Sequence, residues 1–189
     1  VVGYGMNEAF AGAAGLSAFR TQLTGYLDQL ARLHPGAKLV VLSPTAVEKS
    51  TLDRQPDVAA RNADVALYSA ALAEAAKARG ALFVDLFSAS RDAFAKGKMP
   101  LTTNGIHLNA DGNRAMAQVI ARALVGDAAV ANVSEARVAE VAPAAAQLAH
   151  FVKEVVRPKN GVLYYGVRKR ADERAAEIPL YLQRIERSE

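Results

Sequence analysis

Apolar residues at Leu16, Phe19, Leu23, Tyr26, Leu27, Leu30 and Leu33 recur with the 3.6-residue period. This predicts an amphipathic helix that stops at the His34-Pro35-Gly36 break. Lys38-Leu39-Val40-Val41-Leu42-Ser43 changes the pattern to a short β-branched apolar run ended by Pro44, expected as a strand buried on both faces. Thr45 to Pro56 is polar and reads as a loop above the sheet. Asp57 is placed to cap a second helix, with Val58, Val65, Tyr68, Leu72 and Ala76 as its stripe and Gly80 closing it. Ala81 to Phe87 is expected as another buried strand, and Arg91 to Lys96 as a short helix. Leu101 to Asn109 reads as a loop. Asp111 opens a further helix with Ala115, Met116, Val119, Ile120, Ala123 and Leu124 on one face. Strands alternating with helices imply a parallel α/β sheet with right-handed crossovers.

After Gly126 the pattern changes. Gly126 to Ser134 is rich in Ala and Val without a clear period. Glu135 to Val156 has helical composition, with a break expected near Pro143. Asn160-Gly161 followed by Val162-Leu163-Tyr164-Tyr165-Gly166-Val167 reads as a turn with a strand or hairpin. Arg168-Lys169-Arg170 leads into a last helix that contains Pro179.

Composition narrows the class. In 189 residues, 51% are hydrophobic and 22% charged, which excludes disorder, collagen and a coiled-coil rod. No cysteine is present, so disulfides, thiolate zinc sites and cysteine nucleophiles are excluded. The net charge of +4 is too small to argue for nucleic acid. No apolar run is long enough to span a membrane. Val1-Val2-Gly3-Tyr4-Gly5 reads as the end of a buried strand and its turn, without an initiator methionine, so the sequence is expected to be a fragment.

Two segments carry candidate chemistry. Gly3-Tyr4-Gly5-Met6-Asn7-Glu8 directly follows a strand, where open parallel sheets bind ligands. It fits a plain turn in which Gly supplies a positive φ and Asn7 caps. It also fits a site in which Gly5 lets the backbone approach a substrate and Asn7 donates to a developing oxyanion. Leu101 to Asn109 contains His107 between Ile106 and Leu108, which predicts a partly desolvated imidazole suited to general-base work. Asn104, three residues earlier, can fix its tautomer; a loop histidine satisfied by backbone is the plainer alternative.

Taken together, these segments resemble the SGNH/GDSL hydrolase family. Its third block, Gly-x-Asn after a strand, is matched by Gly5-Met6-Asn7. Its fifth block, Asp-x-x-His before the last helix, is matched by Asn104-Gly105-Ile106-His107. Pro100 to Leu108, Gly3 to Phe10 and the tail from Arg157 to Pro179 are most similar to a planctomycete and verrucomicrobial branch. The resemblance implies a three-layer α/β/α flavodoxin-like sandwich lacking its N-terminal strands, with residues 1–126 the C-terminal part of the hydrolase domain. Residues 127–189 would be a helical and hairpin extension packed on it. It further implies serine-type hydrolysis of a small-molecule or carbohydrate ester, with no metal or other cofactor. His107 would be the general base, held by Asn104, and Gly5 and Asn7 would bind substrate and oxyanion. Periplasmic or secreted placement is implied in the same way.

The pattern departs from the family in two places. No Gly-Asp-Ser block is present; Ser43 and Ser88 end predicted strands in other contexts and are not expected to be nucleophiles. These residues alone are therefore expected to be inactive. Asn104 stands where the family has Asp, and an amide cannot stabilise imidazolium by charge. This leaves a catalytically degenerate binding module of a larger exported protein as the alternative. Asp85, at a strand end, is expected to cap or to support His107. His34 suits a helix C-terminus, and His150 beside Phe151 suits half-buried packing. The basic cluster Arg157, Lys159, Arg168, Lys169 and Arg170 reads as a solvated hairpin paired with Glu173 and Glu177, and no nucleic-acid partner is expected.

Overall fold

The computed structural model describes residues 1–50 and 55–156. The expected hairpin at 162–167, the basic cluster and the last helix lie outside the described residues. The chain divides into two compact units, Val1–Val130 and Ala131–Glu189.

The first unit is mixed α/β, a small parallel sheet among many helices. Its elements are β1 (Val2–Gly3), a 3₁₀ turn (Glu8–Ala11), α1 (Gly12–Leu33), β2 (Val40–Leu42), α2 (Val58–Lys77), β3 (Leu82–Val84), α3 (Leu86–Lys96) and α4 (Ala110–Val125). The strands are parallel in the order β1-β2-β3, with Val2 opposite Val41 and Val41 opposite Phe83. Alternate residues of β2 serve different clusters, as the pleat requires. Val41 packs with Val65, Tyr68, Leu72 and Ala76 of α2 and with Phe19, Leu23 and Leu27 of α1. Val40 packs with Val84, Leu86 and Met116. Leu27, Val41, Val65, Tyr68 and Leu72 are almost wholly buried, and each large apolar side chain contributes at most about 1.5–3 kcal/mol.

The helix signals set the ends of α1 and α2. Asp57 caps α2, its carboxylate accepting the Ala59 and Ala60 N–H groups at 2.8 and 3.3 Å. His34 is the C-cap of α1, its N–H donating to the Leu30 carbonyl at 2.9 Å. Tyr26 and Leu33, expected on the buried stripe, face outward instead; Tyr26 meets Tyr4 edge-on at 5.5 Å.

Three expectations need correction. The strand expected through Phe87 ends at Val84, because Asp85 caps α3 by accepting Ser88 N–H at 2.9 Å. Leu86 and Phe87 therefore begin a helix five residues earlier than Arg91. That strand is also not buried throughout: β3 lies at the end of the strand order, and Leu82 is 38% exposed. Third, Glu135–Val156 forms one helix, α6, with Pro143 inside it. Proline removes a single N–H donor, and the turns on either side continue the helix. A short helix, α5 (Asp127–Ala131), precedes α6 where no period was visible.

Candidate active site

The turn after β1 carries Asn7. Gly5 has φ +106, the left-handed side that favours glycine, and a Cβ there would sit tightly, 3.2 Å from Leu72 Cδ1 and 3.4 Å from Pro44 Cδ. Gly5 N–H donates to Glu8 Oε2 at 2.8 Å, and its carbonyl accepts Ala9 N–H at 3.0 Å. Asn7 opens the 3₁₀ turn, but its side chain makes no capping bond. The expected capping role is thus not realised: Asn7 has helical φ and ψ (−70, −40), not the extended backbone of a side-chain cap. Its exposed carboxamide has no hydrogen-bond partner among the described residues.

Residues along the first half of α2 hold this segment. Arg61 Nη2 donates to the Ala9 carbonyl at 2.7 Å, and the guanidinium sits 4.3 Å from the Phe10 ring centre. Asp64 Oδ2 lies 3.3 Å from Arg61 Nη1. Tyr68 donates its hydroxyl to the Gly12 carbonyl at 2.9 Å. Burial raises the Tyr68 pKa, the Asp64 and Glu8 charges add to the rise and Arg61 opposes it, so the phenol stays a donor.

The loop after β2 is fixed by buried polar side chains. Ser43 Oγ accepts Phe87 N–H at 2.9 Å, and Ser90 Oγ accepts Ala46 N–H at 2.7 Å. Asn62 brackets Val47, accepting its N–H at 2.7 Å and donating to its carbonyl at 2.9 Å. Ser43 is therefore tied to backbone, and half-buried Ser88 lies in the first turn of α3. Glu48, only 8% exposed, accepts Leu101 N–H at 3.0 and 3.1 Å, Thr102 N–H at 2.8 Å and the Thr102 hydroxyl at 2.6 Å.

Those contacts anchor the loop that carries His107. A bridge between Thr102 and Leu108 closes it, and Thr103 N–H donates to the His107 carbonyl at 2.8 Å. Asn104 Oδ1 accepts the N–H groups of Ile106 and His107 at 3.2 and 2.9 Å. The same amide meets the ring: Oδ1 lies 3.1 Å and Nδ2 3.0 Å from His107 Nδ1. Two proton arrangements fit. With the proton on Nδ1 donating to Oδ1, Nε2 is left as a base. With Nδ2 donating to Nδ1, the proton sits on Nε2. The imidazole is exposed, contrary to the expected partial desolvation. Its neighbours Ile106 and Leu108 turn their side chains toward the interior clusters, and the tight turn points the residue between them outward.

Asn7 and His107 line one cleft of about 630 Å³, together with Met6, Phe10, Pro44 and Ile106. Thr45 and Asn113 also reach it and were not singled out in the sequence. Gly5 and Asn104 stand behind this surface, Gly5 shaping the Asn7 turn and Asn104 holding the imidazole. Asp85 serves as the α3 cap; the group beside His107 Nδ1 is the Asn104 amide. His150, expected to be half-buried, is exposed with its ring 5.7 Å from that of Phe151, because the surrounding face of α6 is exposed. Among the described residues no group of His, Asp and Glu could hold a metal ion. No helix among them is long and apolar enough to cross a membrane.

Residues 1–115 match the family described as GDSL-like lipase/acylhydrolase. No curated protein matches the chain. A catalytic mutant of an acetylxylan esterase from Geobacillus stearothermophilus is similar in structure, with a TM-score of 0.51 at 16% identity over 65% of this chain. The match covers 57% of the esterase, so the chain spans less than two thirds of that protein. At this identity the likeness is one of fold.

Proposed function

Because the chain belongs to the GDSL-like lipase/acylhydrolase family, we propose that it supplies the base and oxyanion side of an ester-hydrolysing site. The observation that carries this reading is the shared cleft: Asn7, whose carboxamide has no partner among the described residues, and His107, with an exposed imidazole, meet there from distant parts of the chain. The nucleophile is a serine of the family's first block, outside these 189 residues. Its Oγ attacks the acyl carbon while His107 Nε2 takes the proton. Asn7 Nδ2–H donates to the tetrahedral oxyanion. His107 then returns the proton to the departing alkoxide, leaving an acyl-enzyme that water hydrolyses by the same steps. No step needs a metal. The acetylxylan esterase neighbour supports an acyl or acetyl ester of a small molecule or carbohydrate as substrate.

The same reading extends to the fold. The complete domain is a three-layer α/β/α sandwich, in which further strands continue the sheet beyond β1. Support comes from the two clusters served by alternate residues of β2 and from the place of β1 at the end of the strand order. Residues 1–126 belong to this domain and 127–189 to an extension, as in the branch that the tail resembles.

A second reading is favoured by Asn104: a binding module on the same fold that has lost turnover. One assay separates the two. In the whole protein, His107→Ala should lower hydrolysis of an acetyl ester by about 10⁴–10⁶-fold. Asn104→Asp should raise it, because a carboxylate accepts only the Nδ1–H tautomer and stabilises imidazolium. Turnover that is absent in the wild type and in Asn104→Asp favours the binding module; wild-type turnover in His107→Ala removes the role of His107.

A further inference from the structure

Among the described residues Glu48 is the buried carboxylate, and burying a charge is costly unless hydrogen bonds compensate it. The donors that reach it are the Leu101 and Thr102 N–H groups and the Thr102 hydroxyl. Thr102 Oγ1 in turn accepts Gly105 N–H at 3.0 Å. The Glu48 backbone N–H donates to the Gly105 carbonyl at 2.8 Å. Gly105, the centre of the Asn104–His107 turn, therefore has both its amide and its carbonyl committed to Glu48 or to Thr102. Gln55 Nε2 donates to the Glu48 carbonyl at 2.6 Å, so the clamp is itself held. A web that served the core alone would not end on both polar groups of this one glycine.

We propose that Glu48 is a positioning residue for His107, fixing through Thr102 and Gly105 the turn from which the imidazole enters the cleft. This rests on the ester-hydrolase reading for its effect on rate. The carboxylate matters for a specific reason. Leu101 N–H reaches both oxygens, Oε1 at 3.0 Å and Oε2 at 3.1 Å, and both Thr102 donors meet Oε2, so the N–H₂ of an amide would face at least one donor in either orientation.

The test is made in the whole protein with an acetyl ester and, in parallel, by NMR of the His107 ring nitrogens and of Gly105 amide exchange. Glu48→Gln should lower kcat by about 10²-fold while KM moves by less than about twofold, the signature of a misplaced group. Thr102→Val, which removes both the hydroxyl bond to Glu48 and the tie to Gly105, should cost about tenfold, and Thr102→Ser should restore most of the rate. The ring nitrogen signals should shift and Gly105 exchange should quicken in Glu48→Gln and Thr102→Val, but not in Thr102→Ser. If Glu48→Gln does not fold, the Thr102 pair decides. Folded variants with unchanged kcat and unchanged His107 signals overturn the proposal, as does equal loss in Thr102→Val and Thr102→Ser. Should His107→Ala itself spare turnover, the hydrolase reading fails, while the ring and exchange measurements still judge the positioning.

Discussion

Around Asn7 the chain is held by its own short backbone bonds, Ala9 N–H to the Gly5 carbonyl and Phe10 N–H to the Asn7 carbonyl, with long arms from Arg61 to Ala9 and from Tyr68 to Gly12. Around His107 the local bonds are joined by a web reaching from Glu48, Gln55 and Thr102. The first turn leaves the Asn7 amide without a partner among the described residues, whereas the second takes hold of the His107 ring through Asn104. The difference matches the work proposed for each. A hydrogen-bond donor to an oxyanion must be free to meet the ligand. A base must present one nitrogen in one tautomer, and so needs a partner on the other.

That contrast can be attacked from either side. Asn7→Ala removes a donor that nothing else in the turn replaces, and should cost about 2.7–4 kcal/mol of transition-state stabilisation, read as kcat/KM, with the melting temperature almost unmoved. Gly105→Ala strikes the web instead. The residue has φ +87, and a Cβ would lie 2.5 Å from Gln55 Nε2 and 2.8 Å from the Glu48 carbonyl oxygen. Denaturant unfolding should show a loss of about 1–3 kcal/mol from strained backbone, with activity falling alongside. Arg61→Met keeps the stem but drops the bond to the Ala9 carbonyl and the contact over Phe10. It should cost about 1–2 kcal/mol of stability and leave the His107 ring signals where they are. A shift of those signals in Arg61→Met would mean that the two turns are not separately held.

Much of this was legible in the sequence, and what was not has physical causes. Asn7, Asn104 and His107 stand in short contiguous motifs, so their types and spacing could be read directly. The helix periods and the Asp57 cap were equally local. Glu48 could not be found this way, because two of its donors are backbone N–H groups, of Leu101 and Thr102, which have no residue type, and the third, the Thr102 hydroxyl, lies 54 positions away. Leu86 and Phe87 read as strand because a short apolar run fits either element, and what selects helix is the Asp85 side chain accepting Ser88 N–H. The exposure of His107 is not legible from its apolar neighbours, because a tight turn sends them inward and it outward. Pro143 reads as a break, yet the helix runs through it from Glu135 to Val156, because the loss of one N–H donor leaves the bonds of the neighbouring turns intact.

The span of the Glu48 web also has a consequence in time. Leu101 and Glu48 are 53 positions apart, and α2, β3 and α3 all lie between them. Closing so long a loop costs chain entropy before any of its bonds can form. Helical turns form from near neighbours, whereas the clamp on Gly105 has nothing to grip until β2 and β3 have paired and the loop after β2 is in place. The His107 turn is therefore expected to form late: in a refolding experiment, helical signal should appear before Gly105 amide protection.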